Sequence, residues 1–209
     1  MDGIISDSMK SHGIVYKINY GVSITRIREI AKHYTNNHDL AQRLWLLNIR
    51  ETMIMATLLQ PAETFTPKLA SSWLEQCNNI ELIEQATMNL YQHLNFAPDF
   101  SLNCIESDKI LHKIFGFTLA LRIYHQLSPT EIEKILQLVQ QLNIPDNENT
   151  FYNSVAICLA RLSRKDEATA RLIYTRIRGF ANNPFSGKNH IYQTVKQELI
   201  FLGILDENL

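Results

Sequence analysis

Residues Leu40 to Pro61 read LAQRLWLLNIRETMIMATLLQP. The spacing predicts two short helices, 39–47 and 49–60, that meet at Asn48. Leu40, Leu44 and Leu47 share one face of the first. Met53, Ala56, Thr57 and Gln60 share a face of the second, with Ile54, Leu58 and Pro61 beside them. Both sets follow a 3.6-residue period. Asn48 with Glu51 three residues on spells an N-cap with a capping-box acid. The second helix is apolar nearly all round and so requires cover on more than one side. A buried helix joined by a tight turn to an amphipathic one is the unit of a helical repeat array.

The same punctuation continues outward. Met1 to His12 reads as a loose leader, and Gly21 as a turn before a helix capped by Ser23 or Thr25, with Ile24, Ile27, Ile30, Ala31 and Tyr34 on its face. Thr66 caps a helix that has Pro67 at its first position, where no backbone donor is needed. It carries Leu69, Ala70, Trp73, Leu74 and Cys77. Asn78–Asn79 turns the chain into a helix marked by Ile80, Ile83, Thr87, Leu90 and Leu94. Residues 95–106, around Pro98, read as irregular. Ser107 or Asp108 then caps a long helix to about Leu127, bearing Ile110, Ile114, Phe117, Leu121 and Tyr124. Ser128–Pro129 opens the next, with Ile132, Ile135, Leu136, Val139 and Leu142, and a turn around Pro145 follows. Helices at about 150–162, 165–180 and 189–203 complete the chain, the last two separated by a loop containing Asn182, Asn183, Pro184 and Gly187. No strand-like alternation runs beyond a few residues. The expectation is an all-α chain, one domain over 13–209, with helix pairs recurring about every 30–45 residues.

Composition narrows the function classes. At 45% apolar and 20% charged residues the chain is ordinary globular protein rather than disordered. No apolar run approaches a membrane span, and the start lacks a secretory pattern. Cys77, Cys104 and Cys158 are odd in number and widely spaced, which reads as reduced, buried thiols in a cytoplasmic protein. The seven histidines show no metal-ligand spacing. Phosphate-cradling glycine loops and nucleophile elbows are absent, so neither a metal nor another cofactor is expected. The net charge of −1 hides a pattern: residues 61–150 hold 5 basic against 11 acidic residues, whereas 151–209 hold 8 against 5.

Three stretches taken together, YGVSITRIREIAK (20–32), LAQRLWLLNIRETMIMATLL (40–59) and TPKLASSWLEQCNNIELIEQATMNLYQHL (66–94), resemble the DNA alkylation repair family, the AlkD-like proteins. The features that carry the likeness are Gly21-Val22 before a helix, Leu44-Trp45, Arg50-Glu51 opening a buried helix, and a later helix bearing an acidic residue. The likeness is good over residues 13–127 and one of helix count beyond. It implies a C-shaped, right-handed α–α superhelix of HEAT-like repeats, a solenoid related to ARM-repeat arrays, whose inner wall holds double-stranded, damaged DNA.

The resemblance also implies metal-independent excision of alkylated purines. An N-methylated purine is a good leaving group, and a carboxylate with aromatic faces stabilises the positive charge left on the sugar. Carried over by position, the family's catalytic acid falls on Glu84, its other acidic position on Glu81, and its cation on Lys113. Asn79 and Ile80 stand where the family has two tryptophans; Trp73 is the nearest ring left for stacking. Lys109, Lys113, Arg161, Arg164 and Lys165 are the candidates for gripping phosphate.

Each candidate has a plainer reading. Glu81, Glu84, Gln85 and Met88 make one helix face that is either solvated or an acidic patch. Lys113 is either a groove cation or a salt-bridge partner of Glu84. Trp45 and Trp73 suit a core. Arg50, a cation at a helix start, is unfavourable to the macrodipole and requires an acidic partner across the repeat. The alternative function is a non-catalytic scaffold for a structured nucleic acid or a protein partner, to which the acidic middle of the chain points.

Overall fold

The computed structural model describes residues 3–11, 14–182 and 186–206, with side chains from residue 6 onward. Among them twelve α-helices form, and no strand beyond one isolated bridge between Ile18 and Ile49. The chain divides into two compact units, Met1–Ala97 and Pro98–Leu209. Unit 1 contains α1 (Gly3–Ser11), α2 (Ile24–Ala31), α3 (His38–Leu46), α4 (Arg50–Leu59), α5 (Pro67–Leu74) and α6 (Ile80–Asn89). Unit 2 contains α7 (Ala97–Glu106, beginning at the boundary), α8 (Ile110–Arg122), α9 (Pro129–Gln140), α10 (Asn149–Leu162), α11 (Glu167–Ile177) and α12 (Gly187–Phe201). The even-numbered helices form the continuous layer of each unit. In unit 1 α4 packs against both α2 and α6; in unit 2 α10 packs against both α8 and α12. This is helical-hairpin stacking, in which each pair buries a face that it cannot cover alone.

Local chemistry explains most boundaries. The side chains of Ser23, Thr66 and Ser128 each accept from a backbone N–H in the first turn of α2, α5 and α9. Ser128 and Glu131 close a reciprocal capping box. The expected leader contributes α1, and residues 1, 2 and 12 of that stretch lie outside the described residues. In the last expected loop, Asn183 and Pro184 are also outside them, and Gly187 is the first residue of α12.

The α3–α4 corner differs from its sequence reading. Asn48 does not cap α4: it closes α3 in the left-handed region at φ 53°, which a short polar side chain tolerates. The N-cap is Ile49, extended and without a side-chain cap bond. Cover comes from elsewhere, because the N–H of Arg50 donates to the Ile18 carbonyl at 3.0 Å. Glu51 is correspondingly free of capping duty. The face of α3 is rotated as well. Ala41 and Trp45 are its buried residues, Leu40 and Leu44 flank a cluster of Ala31, Ala41 and Leu59, and Leu47 is exposed.

Trp45 and Trp73 hold α3 to α5. Their rings stack in parallel with centroids 3.9 Å apart, and Phe65 meets Trp73 edge-on. Both indoles are 1% exposed. Unit 2 centres on α8, whose residues from Ile114 to Ala120 are all buried. It is shorter than expected, Ile110 to Arg122, with Lys109 at the N-cap. The stretch read as irregular is α7, because Pro98 falls in its first turn, where a proline is tolerated.

Helix α7 approaches α8 closely at Gly116. A Cβ there would sit 2.7 Å from the Ser101 carbonyl oxygen and 2.8 Å from the Ile105 nitrogen, both backbone atoms. Gly116→Ala therefore forces the helices apart. The clash should cost about 1–3 kcal/mol, partly offset by the roughly 1 kcal/mol that alanine gains in a helix. A lowered urea midpoint at unchanged slope is the expected result; a raised midpoint would show that α7 yields freely.

Candidate nucleic-acid interface

In unit 1 the residues before α2 run as an extended strap over the first turns of α4 and α6, and one ion cluster ties it down. Arg50 opens α4 with its side chain 4% exposed. Its Nε and Nη2 donate to the two oxygens of Glu81, at 2.8 and 2.6 Å, a bidentate pair from α4 to α6. Nη1 donates to the Val22 carbonyl at 2.6 Å and to Glu51 at 3.1 Å. Tyr16, on the strap, donates its hydroxyl to Glu81 at 2.9 Å. Glu51 accepts from the Tyr20 N–H at 3.2 Å and from the Val22 N–H at 3.1 Å. Both amides can point at one carboxylate because Gly21, between them, has φ 74°.

This geometry shifts the titration of Arg50 and Tyr16. Burial opposes the Arg50 charge, but the bonds and fields of Glu81 and Glu51 outweigh it and hold the guanidinium above its ordinary range. Burial first, and then the negative charge of Glu81, raise the phenol of Tyr16, which stays a donor. Arg50 thus has the acidic partner across the repeat that its position demanded, and Glu81 is fully committed to it.

One turn along α6 the situation reverses. Glu84 is exposed, and its carboxylate makes no hydrogen bond or ion pair among the described residues. Gln85, beside it, is 8% exposed and accepts from Arg28 of α2 at 3.4 Å; the same Arg28 nitrogen lies 3.6 Å from the Met88 sulfur. Further along, Asn89 donates to Thr57 of α4 at 2.9 Å. The face formed by Glu81, Glu84, Gln85 and Met88 is therefore part structural seam and part open surface. Arg28, which the sequence reading passed over, is the cation of α2 set against Gln85 and Met88 of α6; its i+3 and i+4 neighbours give no motif to reveal it. Trp73 is sealed in the core against Trp45, with no ring face open to a base.

The cations assigned from sequence all lie in unit 2. Lys109 is the exposed N-cap of α8, and Lys113 donates to the Ile105 carbonyl at 2.9 Å. Arg161, Arg164 and Lys165 do gather, at the edge where α8 and α10 end. The Arg161 guanidinium lies over the Tyr124 ring, 5.8 Å from its centroid. Lys165 donates to the carbonyls of His125 and Leu127, just past the end of α8, where the helix dipole favours a cation. Arg164 donates to Glu198 of α12 at 2.5 Å, which raises its affinity for its proton further. Lys113, Arg161, Arg164 and Lys165 are thus positioned, and Arg164 is neutralised. Among the described residues no group of three or more His, Cys, Asp or Glu is placed to hold a metal ion. No helix among them is long and apolar enough to cross a membrane.

The family model for DNA alkylation repair enzymes matches residues 4–172. This chain belongs to that family. No curated protein matches it. A solved structure from a family described as related to the HEAT-like repeat DNA glycosylases, with affinity for branched DNA structures, matches at a TM-score of 0.66. The match covers 82% of this chain and 77% of that one at 20% identity. The likeness is one of fold, and it makes the stacked helix pairs HEAT-like repeats. Within this family fold the two acidic positions of α6 are chemically unlike, one paired and one open.

That difference is measurable. Glu81→Ala leaves a nearly buried guanidinium with half its counter-charge and should lower stability by about 3 kcal/mol or more. Glu84→Ala removes an open surface carboxylate and should change it by no more than about 0.5 kcal/mol. Urea unfolding of both variants gives the comparison; equal losses would contradict the division of roles.

Proposed function

We propose that this member of the DNA alkylation repair family binds branched duplex DNA through its phosphates without releasing bases. The observation that carries the reading is the Trp45–Trp73 stack, which leaves neither indole of the chain open to a base. Glu81, held by two guanidinium bonds, presents little net field to a developing oxocarbenium ion, so of the two acidic positions of α6 it is Glu84 that is left for such a role. The two tryptophans of the chain, stacked on each other in the core, are equally unavailable. Binding, in contrast, requires cations near the surface, and the Arg161–Arg164–Lys165 edge supplies them. The structural neighbour's affinity for branched DNA supports the choice of substrate over linear duplex.

A second reading, excision of an alkylated purine by Glu84, is favoured by one observation, the open and unpaired state of that carboxylate. Here Glu84 would stabilise the sugar cation, Glu81 would act only by fixing the start of α6, and Lys113 would contact backbone. The two readings part in one experiment. Purified protein is titrated against a four-way junction and a linear duplex of equal length, and separately incubated with DNA containing 7-methylguanine. Tighter junction binding that weakens with salt, and no base release, is the expected result. Base release that is lost in Glu84→Gln would establish the second reading. Binding to neither DNA at low salt would remove both and leave the scaffold for a protein partner.

The Arg164–Glu198 pair gives a further check. Glu198→Gln frees the guanidinium and removes a negative charge beside it. The expected outcome is several-fold tighter DNA binding at low salt, with the salt dependence steeper by about one phosphate contact. Unchanged affinity would place Arg164 off the DNA path.

A further inference from the structure

Phe201 ends α12 with 78% of its surface exposed. It follows Glu198 by three residues, so the two side chains lie on the same side of the helix. Glu198 is the acid that holds Arg164, which places the ring at the edge carrying Arg161, Arg164 and Lys165. Tyr124, half-buried, already lies under the Arg161 guanidinium there. Against these cations stand Glu198, Asp166 and Glu167; the exposed Asp166 caps α11, its Oδ1 accepting from the Thr169 N–H at 2.7 Å, and Glu167 pairs with Arg171. The edge is thus cationic with one open ring, the combination that binds single-stranded or unpaired nucleic acid by phosphate contact plus stacking.

A linear duplex offers such a ring nothing, because its base faces are already stacked on one another. A branch point exposes the face of a base pair or an unpaired base. We propose that Phe201 is a stacking platform for the exposed base at a DNA branch, with Arg161, Arg164 and Lys165 holding the flanking phosphates. The inference rests on the DNA-binding reading above and adds to it the feature that separates a branch from a continuous helix.

The test compares wild type, Phe201→Ala and Phe201→Tyr on a junction and on a linear duplex of equal length, with 2-aminopurine at the branch as reporter. Phe201→Ala should weaken junction binding about tenfold, leave duplex binding unchanged and abolish the quenching that wild type produces. Phe201→Tyr, which keeps the ring, should retain both. Because the residue is exposed, circular dichroism and thermal unfolding of the variants should match wild type. Equal junction affinity of wild type and Phe201→Ala would overturn the platform while leaving DNA binding intact. Failure of wild type to bind either DNA would instead remove the underlying reading. A wild-type dimer that dissociates in Phe201→Ala, seen by sedimentation, would assign the ring to a protein interface and overturn the proposal.

Discussion

Arg50 carries a full charge with 3% of its surface in water. Removing a guanidinium from solvent costs several kcal/mol even after relaxation, so the position is tenable only if acceptors surround it and the charge finds its opposite. Glu81 supplies two oxygens, Glu51 a third and the Val22 carbonyl a fourth, so four of the five N–H donors are bonded. Meeting that requirement fixes three things together. Helix α6 must begin where its second residue reaches α4, the strap must pass over both helix starts, and Gly21 must turn so that its neighbours' amides complete Glu51. The N-terminal segment is therefore part of the first unit rather than an appendage of it, although few of its side chains are deeply buried.

The same constraint divides labour among the acids. Glu81 and Glu84 lie three residues apart on one helix, yet one faces a guanidinium and a phenol and the other faces water. Their chemistry follows from those surroundings and not from residue type. In unit 2 the sorting concerns cations. Lys113 is spent on a carbonyl and Arg164 on a carboxylate, while Arg161 rests on an aromatic face, an interaction that leaves its charge available to a phosphate. A polyanion approaching this edge meets cations already oriented by the fold, which lowers the ordering cost of binding. It must, however, compete with Glu198 for Arg164.

The helices were legible because capping side chains and apolar periodicity are local signals. Thr66 and Ser128 announce their helices, Ser23 shares that role with Thr25, and Trp45 suits a core from its neighbours alone, whereas Trp73 reads either as core or as a stacking ring until its stack on Trp45 is seen. The partner of Arg50 was foreseeable in kind, since a cation at a helix start lacks local support, but its identity as Glu81 depends on how α4 meets α6. The misreadings have a common origin. Asn48 has the side chain of an N-cap, and only the incoming Ile18 carbonyl made that role unnecessary and left Asn48 for the left-handed turn. Pro98 looked like an interruption because a proline is compatible with a first turn only when the helix start is known. Arg28 and Phe201 could not be singled out in sequence, since the significance of each lies in residues of another helix.

The distribution of aromatic residues connects the fold to the proposed activity. The chain has two tryptophans, and their mutual stack welds α3 to α5 in the first unit. Turning either indole outward would break a parallel contact and open a cavity beneath α3 and Phe65, so neither can serve a ligand while the core is intact. A ring for stacking on a base must then come from a place where nothing structural depends on it. The end of α12 is such a place: Phe201 is 78% exposed, and the edge beside it is the one where the end of α10 presents Arg161, Arg164 and Lys165. Separating the aromatic that holds the repeats from the aromatic that faces solvent lets the two functions change independently. On the proposed reading, a chain without an indole next to the acidic residues of α6 keeps a separate ring for a distorted nucleic acid.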